Sequence, residues 1–403
     1  GAIMKKPAVG LPVAGMTAMA LSVFAAEPRP GTARLELDHG RMIVDVEWLR
    51  PDGSWRPARA WIDTGGSEMT VSAPLARDLG VDLAAMPEAA NNAWKTTVPV
   101  PALRLAGVLL DVEGMTLAVR PGRSPMPGIA ADCVLAPRCL RRLHVVFDGP
   151  GRTLAVGRPG EMIPKGAAVP CRVHPETGLF MVEATVAGEK VALGVDTGSA
   201  GTWVSDRLVS AWNSRFPDRP QATGAAGSTN FFGFPFESEG ILALMPPLAI
   251  GAIAVSGEVA VLGLDQGLFD WYARKSAAPV AGFLGAGLIS RCRLEVDFPG
   301  QMTWWTVGPE PAARDLDIVP LTLRPEADGS YSIAGVVRRD GKPLLAGVRS
   351  GDRLLAVDGV EVTGATMGRV AAALRGKPGE RRLLLLERDG ARLSELVVVV
   401  RLP

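Results

Sequence analysis

Short apolar runs bounded by turn residues recur along the whole of this chain. Residues 42–46 and 182–186 are typical, because each is a brief, largely apolar run that ends at polar or turn-forming residues. The 47 glycines and 33 prolines among 403 residues separate such runs. Helical patterns are few and short, and the clearest covers residues 205–216. The sequence therefore predicts an all-β, loop-rich fold, and its length allows two or three domains.

The tripeptide Asp-Thr-Gly occurs twice, at residues 63–65 and 196–198, each time after an apolar residue. Nine residues after each Asp stands a serine, Ser72 or Ser205. A single copy is an ordinary turn signal, in which Asp and Thr bond nearby backbone and Gly takes a positive φ. Two copies that keep the same register favour a structural repeat instead.

The repeat extends well beyond the tripeptide. Segments that end at Asp148 and at Asp297 match at a constant offset of 149 residues. The interval from Asp63 to Asp148 is 85 residues and that from Asp196 to Asp297 is 101, so the second half carries an insertion of 16 residues, which we expect in a loop. If a pseudo-twofold axis relates the halves, Asp63 and Asp196 face each other. Two adjacent carboxylates cannot both ionise, so they share one proton.

The apolar residue before each Asp-Thr-Gly, the later apolar segment that opens a short helix and the strand ending in Asp resemble retropepsin-type aspartic peptidases in a fused, single-chain form. The resemblance covers residues 30–308 and implies two pseudo-symmetric acid-protease lobes, 30–160 and 165–308, which form a bilobal β-barrel body. It implies an aspartic endopeptidase that needs no metal or other cofactor. It also implies residue roles: Asp63 and Asp196 are the catalytic dyad, and Thr64, Gly65, Thr197 and Gly198 support the active-site loops.

The resemblance further implies a β-hairpin flap over the cleft. Residues 223–234 contain glycines and phenylalanines that suit a mobile cover, whereas residues 91–100 of the first half lack glycine. The candidate flap residues are Gly224, Gly227, Phe231 and Phe232. The aromatic run 268–272 is predicted to lie in a loop, where packing, a contact with the cleft and a contact with a membrane are all open. Ala136 stands where the second half has Gly285, which makes the lobes unequal.

A non-enzymatic alternative is a degenerate peptidase fold that serves as a periplasmic peptide-binding scaffold, in which Asp63 or Asp196 is dispensable. Other peptidase classes fit less well, because the chain has no His-Glu-x-x-His sequence and no His-Asp pair at serine-peptidase spacing. His39, His144 and His174 stand singly, and no Cys-x-x-Cys pair occurs. The sequence therefore predicts no metal site.

Residues 316–403, here called the C-terminal unit, follow a Pro- and Ala-containing stretch at 309–313. The Ala-Gly-apolar, Gly-Asp and Asp-Gly pattern within 346–360 resembles the bacterial PDZ domain, which is β-rich with two short helices. A helix at 366–374 and a last strand at 393–400 complete the unit. The resemblance implies peptide binding at the loop before the second strand, at Gly329, Ser330, Tyr331 and Ser332.

Partners follow from these features. We expect a protein or peptide substrate in the cleft and a C-terminal peptide ligand on the C-terminal unit, which recruits substrate or regulates access. The alternative for this unit is a packing module that only rigidifies the body. A net charge of +1 provides no basic surface for nucleic acid, so no nucleic-acid partner is expected.

The amino-terminal segment predicts export. Residues 4–25 combine Lys5-Lys6, an uncharged stretch and a small-residue cleavage site, which is typical of a bacterial signal peptide. The protein is then periplasmic or secreted, and it contacts a membrane only in the alternative that this segment is retained as an anchor.

Export would place the four cysteines in an oxidising compartment, where disulfides form. Four cysteines allow three pairings. Proximity in sequence favours Cys133 with Cys139, which leaves Cys171 with Cys292 in the second half.

Overall fold

The computed structural model describes residues 30–86, 94–224, 240–312 and 314–403. The predicted signal peptide, residues 4–25, lies outside the described residues, and so do three of the predicted flap residues: Gly227, Phe231 and Phe232.

The first lobe contains one α-helix and eleven strands in its described part. They are β1 (Gly31–Asp38), β2 (Arg41–Leu49), β3 (Trp55–Ile62), β4 (Met69–Ser72), α1 (Ala73–Asp78), β5 (Trp94–Pro99), β6 (Leu103–Leu105), β7 (Val108–Leu109), β8 (Thr116–Arg120), β9 (Cys133–Leu135), β10 (His144–Asp148) and β11 (Thr153–Gly157). In the described part of this lobe, 3₁₀ turns lie at Leu83–Ala85 and Pro137–Leu140.

The second lobe repeats this arrangement with longer helices. Its elements are β12 (Ala167–Val173), β13 (Phe180–Val186), β14 (Glu189–Val195), β15 (Thr202–Ser205), α2 (Asp206–Arg215), β16 (Gln221–Thr223), β17 (Ile241–Leu244), β18 (Leu248–Ile250), β19 (Ile253–Ala254), β20 (Ala260–Leu264), α3 (Gln266–Ser276), β21 (Gly282–Leu284), α4 (Ala286–Ile289), β22 (Cys292–Asp297) and β23 (Met302–Val307).

The same strand pairing surrounds both Asp-Thr-Gly turns. The strand before the turn pairs in parallel with a later strand, β3 with β9 and β14 with β21. The strand after the turn pairs antiparallel with that same later strand, β4 with β9 and β15 with β21. The later strand therefore lies between the two strands that flank each turn, and the repeat seen in the sequence is a repeat of topology. The all-β, bilobal fold predicted from the sequence is present.

A shared sheet joins the lobes on a pseudo-twofold axis. β10 pairs antiparallel with β22, so that His144 lies opposite Asp297 and Asp148 lies opposite Arg293. Because residues 144 and 148 of the first lobe correspond to 293 and 297 of the second, this register is the one that a twofold axis imposes. β11 and β1 extend the sheet on one side, and β23 and β12 on the other.

The repeated serines are helix N-caps. The Ser72 hydroxyl accepts the Leu75 N–H at 3.4 Å at the start of α1, and the Ser205 hydroxyl accepts the Arg207 N–H at 3.2 Å at the start of α2. A Ser oxygen satisfies one of the N–H groups that a helix start leaves unpaired. The predicted helix at 205–216 is confirmed as α2, whose C-cap is Phe216.

The aromatic run 268–272 was predicted to lie in a loop, and this prediction is wrong. These residues belong to α3, whose N-cap is Asp265; its carboxylate accepts the Gly267 N–H at 2.8 Å. Asp265 is an N-cap signal, but Gly267 and the aromatic residues that follow it have low or middling helix propensity, so the local pattern favoured a loop. α3 occupies the position that an irregular segment, 121–132, holds in the first lobe, and part of the predicted insertion lies in it.

The four cysteines are free thiols, so the predicted pairings are wrong. Cys171 lies beside Gln301, at the turn end of the β22–β23 hairpin, whereas Cys292 lies opposite Val307 at the other end. Several residues of strand, at about 3.4 Å each, separate the two, far beyond disulfide reach. The Cys133 and Cys139 thiols contact different backbone carbonyls, those of Arg59 and Ala136.

The C-terminal unit contains a six-stranded sheet, a separate two-stranded pair and one α-helix among its described residues, where two helices were predicted. Its elements are β24 (Asp317–Ile318), β25 (Leu321–Pro325), β26 (Tyr331–Val336), β27 (Arg338–Arg339), β28 (Lys342–Pro343), β29 (Arg353–Val357), β30 (Val360–Glu361), α5 (Met367–Leu374), β31 (Arg381–Arg388), β32 (Ala391–Val398) and β33 (Val400–Arg401). Bends replace the second helix after β28, where Gly347 packs against the Glu395 carboxylate. The predicted helix at 366–374 is confirmed as α5, capped by Thr366, and the predicted last strand falls on β32 and β33.

The two lobes differ at the equivalent positions Ala136 and Gly285 for a steric reason. Both residues are N-caps of a short helical turn. A Cβ on Gly285 would lie 1.8 Å from the Gly201 carbonyl oxygen, whereas the first lobe accommodates the fully buried methyl of Ala136. The second lobe therefore requires glycine at this position.

We expect Gly285→Ala to lower the free energy of unfolding by about 1–3 kcal/mol, because backbone must move to admit the methyl. Gly287→Ala, two residues on, is the control: the nearest atom to its Cβ is the Ala200 oxygen at 3.2 Å, and we expect a change below about 1 kcal/mol. Chemical denaturation measures both. Equal destabilisation by the two variants would contradict the steric explanation.

Candidate active site

Each Asp-Thr-Gly turn starts from a fixed strand end. The Asp63 N–H donates to the Leu135 carbonyl at 3.0 Å, and the Asp196 N–H donates to the Leu284 carbonyl at 2.9 Å. Both bonds continue the parallel pairing of the strand that enters the turn. The two turns therefore leave their sheets at equivalent points and meet at the pseudo-twofold axis.

A reciprocal set of hydrogen bonds locks the turns together. The Thr64 hydroxyl donates to the Val195 carbonyl at 2.6 Å, and the Thr197 hydroxyl donates to the Ile62 carbonyl at 2.7 Å. Each hydroxyl also accepts the other threonine's backbone N–H, at 2.9 Å for Thr64 and 3.3 Å for Thr197. Both threonines are fully buried. The structure thus brings together the two residues to which the resemblance assigns this support.

The glycines allow the two turns to approach. A Cβ on Gly65 would lie 2.4 Å from Asp196 Oδ2, and one on Gly198 would lie 2.4 Å from Asp63 Oδ1. Each turn thus packs its bare backbone against the opposite carboxylate. Any side chain at these positions would push the aspartates apart.

The carboxyl groups of Asp63 and Asp196 are hydrogen-bonded to each other. Burial, the Asp196 charge and this bond raise the pKa of Asp63 well above its ordinary value. Burial also raises the pKa of Asp196, but N–H groups of Gly198, at 2.8 Å, and Ser199, at 3.2 Å, stabilise its ionised form. Asp63 also accepts a backbone N–H, that of Gly65 at 3.1 Å, and because the pKa of both carboxyl groups is raised, the pair favours one proton held between them. One group is poised as an acid and the other as a base, and Asp63 remains partly exposed to solvent.

Tyr272 is a site residue that the sequence analysis missed. Its hydroxyl donates to the Gly65 carbonyl at 3.4 Å, and its ring packs against Phe283 with centroids 4.6 Å apart. Burial and the charges of Asp196 and Asp63 raise the pKa of Tyr272. One turn further along α3, Lys275 Nζ lies 3.0 Å from the Ser67 hydroxyl. α3 thus reaches from the second lobe to the active-site turn of the first. This contact could not be predicted from the sequence while residues 268–272 were assigned to a loop.

Arg41, the first residue of β2, is a second residue that was missed. It is fully buried. Burial lowers the pKa of its guanidinium to about 10, against the opposing influence of the Asp38 and Asp196 charges. The Tyr331 hydroxyl of the C-terminal unit also acts on it. Arg41 thus lies within electrostatic range of both the candidate dyad and the C-terminal unit, and no local sequence pattern marks it.

The other predicted site residues lie elsewhere. Gly224, with φ of +80°, follows β16, and a Cβ there would lie 2.9 Å from the Val336 carbonyl oxygen.

The predicted peptide-binding residues form the turn between β25 and β26 and the start of β26. Their polar groups bond within the unit: the Gly329 carbonyl accepts the Gly364 N–H, the Ser330 N–H donates to Asp328, the Tyr331 hydroxyl donates to the Ala365 carbonyl, and the Ser332 hydroxyl bonds Glu326. Peptide binding at this turn stays a prediction.

Neither a metal cluster nor a membrane-spanning helix is found in the described residues. No group of three or more His, Cys, Asp or Glu side chains there is arranged to hold a metal ion. No helix in these ranges has the length and apolar character needed to cross a bilayer.

Residues 344–388 match the family model of the PDZ domain. The C-terminal unit is called the PDZ domain below. No curated protein sequence matches the chain.

Among solved structures, the fold is similar to an aspartic proteinase from Irpex lacteus, at 12% identity over 70% of this chain and 99% of that one, with a TM-score of 0.39. It is also similar to basic 7S globulin from soybean, at 11% identity over 69% of this chain and 94% of that one, with a TM-score of 0.38. At these scores neither likeness adds to what the strand pairing shows.

The threonine lock should dominate the stability of the region where the lobes meet. Thr64→Val removes the hydroxyl and leaves the Val195 carbonyl and the Thr197 N–H buried without that partner, so we expect a loss of about 2–4 kcal/mol in unfolding free energy. Thr64→Ser keeps the hydroxyl and should lose about 1 kcal/mol, the cost of one methyl group. Urea denaturation of both variants tests this. Similar losses for Val and Ser would contradict the lock.

Proposed function

We propose that this chain is an exported aspartic endopeptidase, in which Asp63 and Asp196 activate one water molecule for hydrolysis of a peptide bond. One observation carries the proposal: two Asp-Thr-Gly turns, locked by their threonines, hold two carboxyl groups in hydrogen-bond contact. The raised pKa of both groups supports a single proton shared between them. Such a pair supplies an acid and a base in one site.

The reaction follows from the placement of the proton. The ionised Asp196 takes a proton from water as the water oxygen attacks the peptide carbonyl carbon, and Asp63 gives its proton to the carbonyl oxygen. The resulting tetrahedral diol then breaks its C–N bond: Asp196 passes its proton to the leaving nitrogen, and a diol hydroxyl returns a proton to Asp63. Both residues end in their starting states, and no covalent enzyme intermediate forms.

The location and partners complete the proposal. Residues 4–25 support export to the periplasm or beyond, with a retained membrane anchor as the alternative. PDZ domains generally bind peptides, which supports a protein or peptide partner for this one. The competing proposal, an inactive peptide-binding scaffold, differs in that it needs no shared proton at the dyad.

Substitution of either aspartate tests the chemistry. We expect Asp63→Asn and Asp196→Asn each to lower the rate of peptide cleavage about 100- to 10,000-fold, the usual contribution of general acid–base groups. Asp45→Asn is the control, because Asp45 is exposed on β2. Cleavage of a peptide library by the purified protein, with and without a chelator, provides the measurement. Full activity in either dyad variant, or loss of activity with chelator alone, would refute the assignment and favour the scaffold or a metal mechanism.

The pH profile of cleavage should be bell-shaped. Activity needs the singly protonated dyad, so it is lost at low pH, where Asp196 becomes protonated, and at high pH, where Asp63 loses its proton. We expect the optimum on the acid side of neutral. A rate that rises steadily into alkaline pH would contradict an aspartate mechanism.

The same shift predicts how stability depends on pH. Because the pKa of Asp63 is raised on folding, the folded protein holds a proton that the unfolded chain releases, and stability falls as pH rises from the unfolded pKa toward the folded one. As the pH rises from about 4 to about 7, the free energy of unfolding of Asp63→Asn should therefore fall less than that of the unsubstituted protein. Denaturation midpoints across this range measure the difference. Parallel curves for the two proteins would show that Asp63 is not the proton holder.

A further inference from the structure

The apolar cluster beside the strand that enters the first Asp-Thr-Gly turn continues into the core of the PDZ domain. Trp61, just before Asp63, is 3% exposed, and Met181 of β13 is 6% exposed. They belong to the same continuous cluster of buried side chains as Leu321 and Met367 of the PDZ domain. Apolar contacts at the strand that carries Asp63, and at β13 of the second lobe, are thus part of a cluster that extends into the PDZ domain.

One hydrogen bond holds a loop of the first lobe against the PDZ domain. The Met367 N–H, at the start of α5, donates to the Gly128 carbonyl at 2.8 Å. A Cβ on Gly128 would lie 2.7 Å from Met367 Cγ, 2.9 Å from Pro325 Cβ and 3.0 Å from the Tyr331 hydroxyl. Gly128 therefore lies between the end of β25, the edge strand of the PDZ sheet, and the start of α5. A PDZ domain takes a peptide along such a sheet edge.

Two further contacts hold the domain on the body. Asp38, at the end of β1, accepts the Gly368 N–H at 2.7 Å, in the first turn of α5, where a negative charge is favoured. On the second lobe, β27 pairs with β16 through Thr223 and Arg338. The docked α5 also lines a cavity of about 910 Å³ between the body and the PDZ domain, together with Asp38, Ala200, Gly201 and Leu262; Arg369 and Arg375 are its α5-side residues.

The backbone between β24 and β25 lies at the start of β25, the strand that borders the groove. It offers no free N–H group that could bind the carboxylate of a peptide in this groove. The Val319 N–H is engaged by the Leu374 carbonyl at 3.0 Å, the Leu321 N–H is engaged by the Val319 carbonyl at 2.8 Å, and Pro320 has no N–H. A carboxylate needs several such donors. The internal loop is thus the occupant that this groove accommodates.

We propose that the PDZ domain is a clamp on the peptidase body, which holds the loop around Gly128 between β25 and α5 as an internal ligand and so keeps the apolar surface around Trp61 and Met181 covered. Release of the clamp uncovers this surface beside the dyad and widens access to it. The clamp rests on the contacts above, whereas its effect on catalysis rests on the proposed function. Arg41 lies within electrostatic range of both Asp196 of the dyad and Tyr331 of the PDZ domain.

The experiment loosens the clamp at two independent points in the full-length protein. Asp38→Ala removes the acceptor for the Gly368 N–H, and Gly128→Ala places a methyl against α5 and β25. Each has a matched control. Asp45→Ala removes an exposed carboxylate from the neighbouring strand, and Gly53→Ala adds a methyl at a similar positive φ of +83° where no atom lies within 4 Å.

Hydroxyl-radical footprinting with mass spectrometry reads side-chain access without any need for activity. We expect Trp61 and Met181 to become at least threefold more reactive in both clamp variants and to stay unchanged in both controls. Trp48, which is fully buried in the first lobe, should stay unreactive throughout and so reports that the lobe is folded. Unchanged reactivity of Trp61 and Met181 in Asp38→Ala, with or without an effect of Gly128→Ala, would overturn the clamp.

Cleavage of a short peptide then tests the consequence. If the clamp restricts access, both variants should cleave at least threefold faster than the unsubstituted protein. Equal cleavage rates in the variants and the unsubstituted protein, together with increased footprinting of Trp61 and Met181, would overturn the proposal that the clamp restricts access to the dyad. Absence of cleavage in every protein, with increased footprinting, would refute the proposed function while the clamp stands, so the two failures are distinguishable.

Discussion

The structure depends on the burial of two carboxyl groups side by side. Asp63 and Asp196 would repel each other if both were ionised, and burial makes each charge more costly. Such a site is stable when one proton neutralises the pair, as the raised pKa of both groups favours, and when the surrounding backbone is held rigid. The threonine lock provides that rigidity, since each hydroxyl bonds the strand that carries the opposite aspartate.

Symmetry is strict where the lobes meet and relaxed elsewhere. The lock and the β10–β22 register follow the pseudo-twofold axis. Away from it, equivalent positions have diverged. The segment before β21 is the helix α3, which brings Tyr272 to the active-site turn, whereas the segment before β9 is irregular and brings Gly128 to the PDZ domain. The same topological position thus serves the dyad in one lobe and domain docking in the other.

The PDZ domain is a separate unit in sequence but not in packing. The stretch 309–313 marks a boundary in composition, yet the apolar cluster continues from the body into the PDZ core. A fold that buries apolar surface between two units couples their motions, because either unit moves only by exposing that surface. Exposure of the apolar surface around Trp61 and docking of the PDZ domain therefore depend on the same contacts.

The sequence by itself determined the repeat, the all-β fold, the pairing of the two Asp-Thr-Gly turns and the helices capped by Ser205 and Thr366. The strands, turns and helices follow from local patterns, since they depend on neighbouring residues, and the pairing of the two turns follows from the internal repeat. Only the tertiary structure decided the free thiols, the buried Arg41, and the contacts of Tyr272 and Gly128. Each depends on residues brought together from distant parts of the chain, and no local pattern encodes the distance between Cys171 and Cys292 or the path of α3 across the lobes.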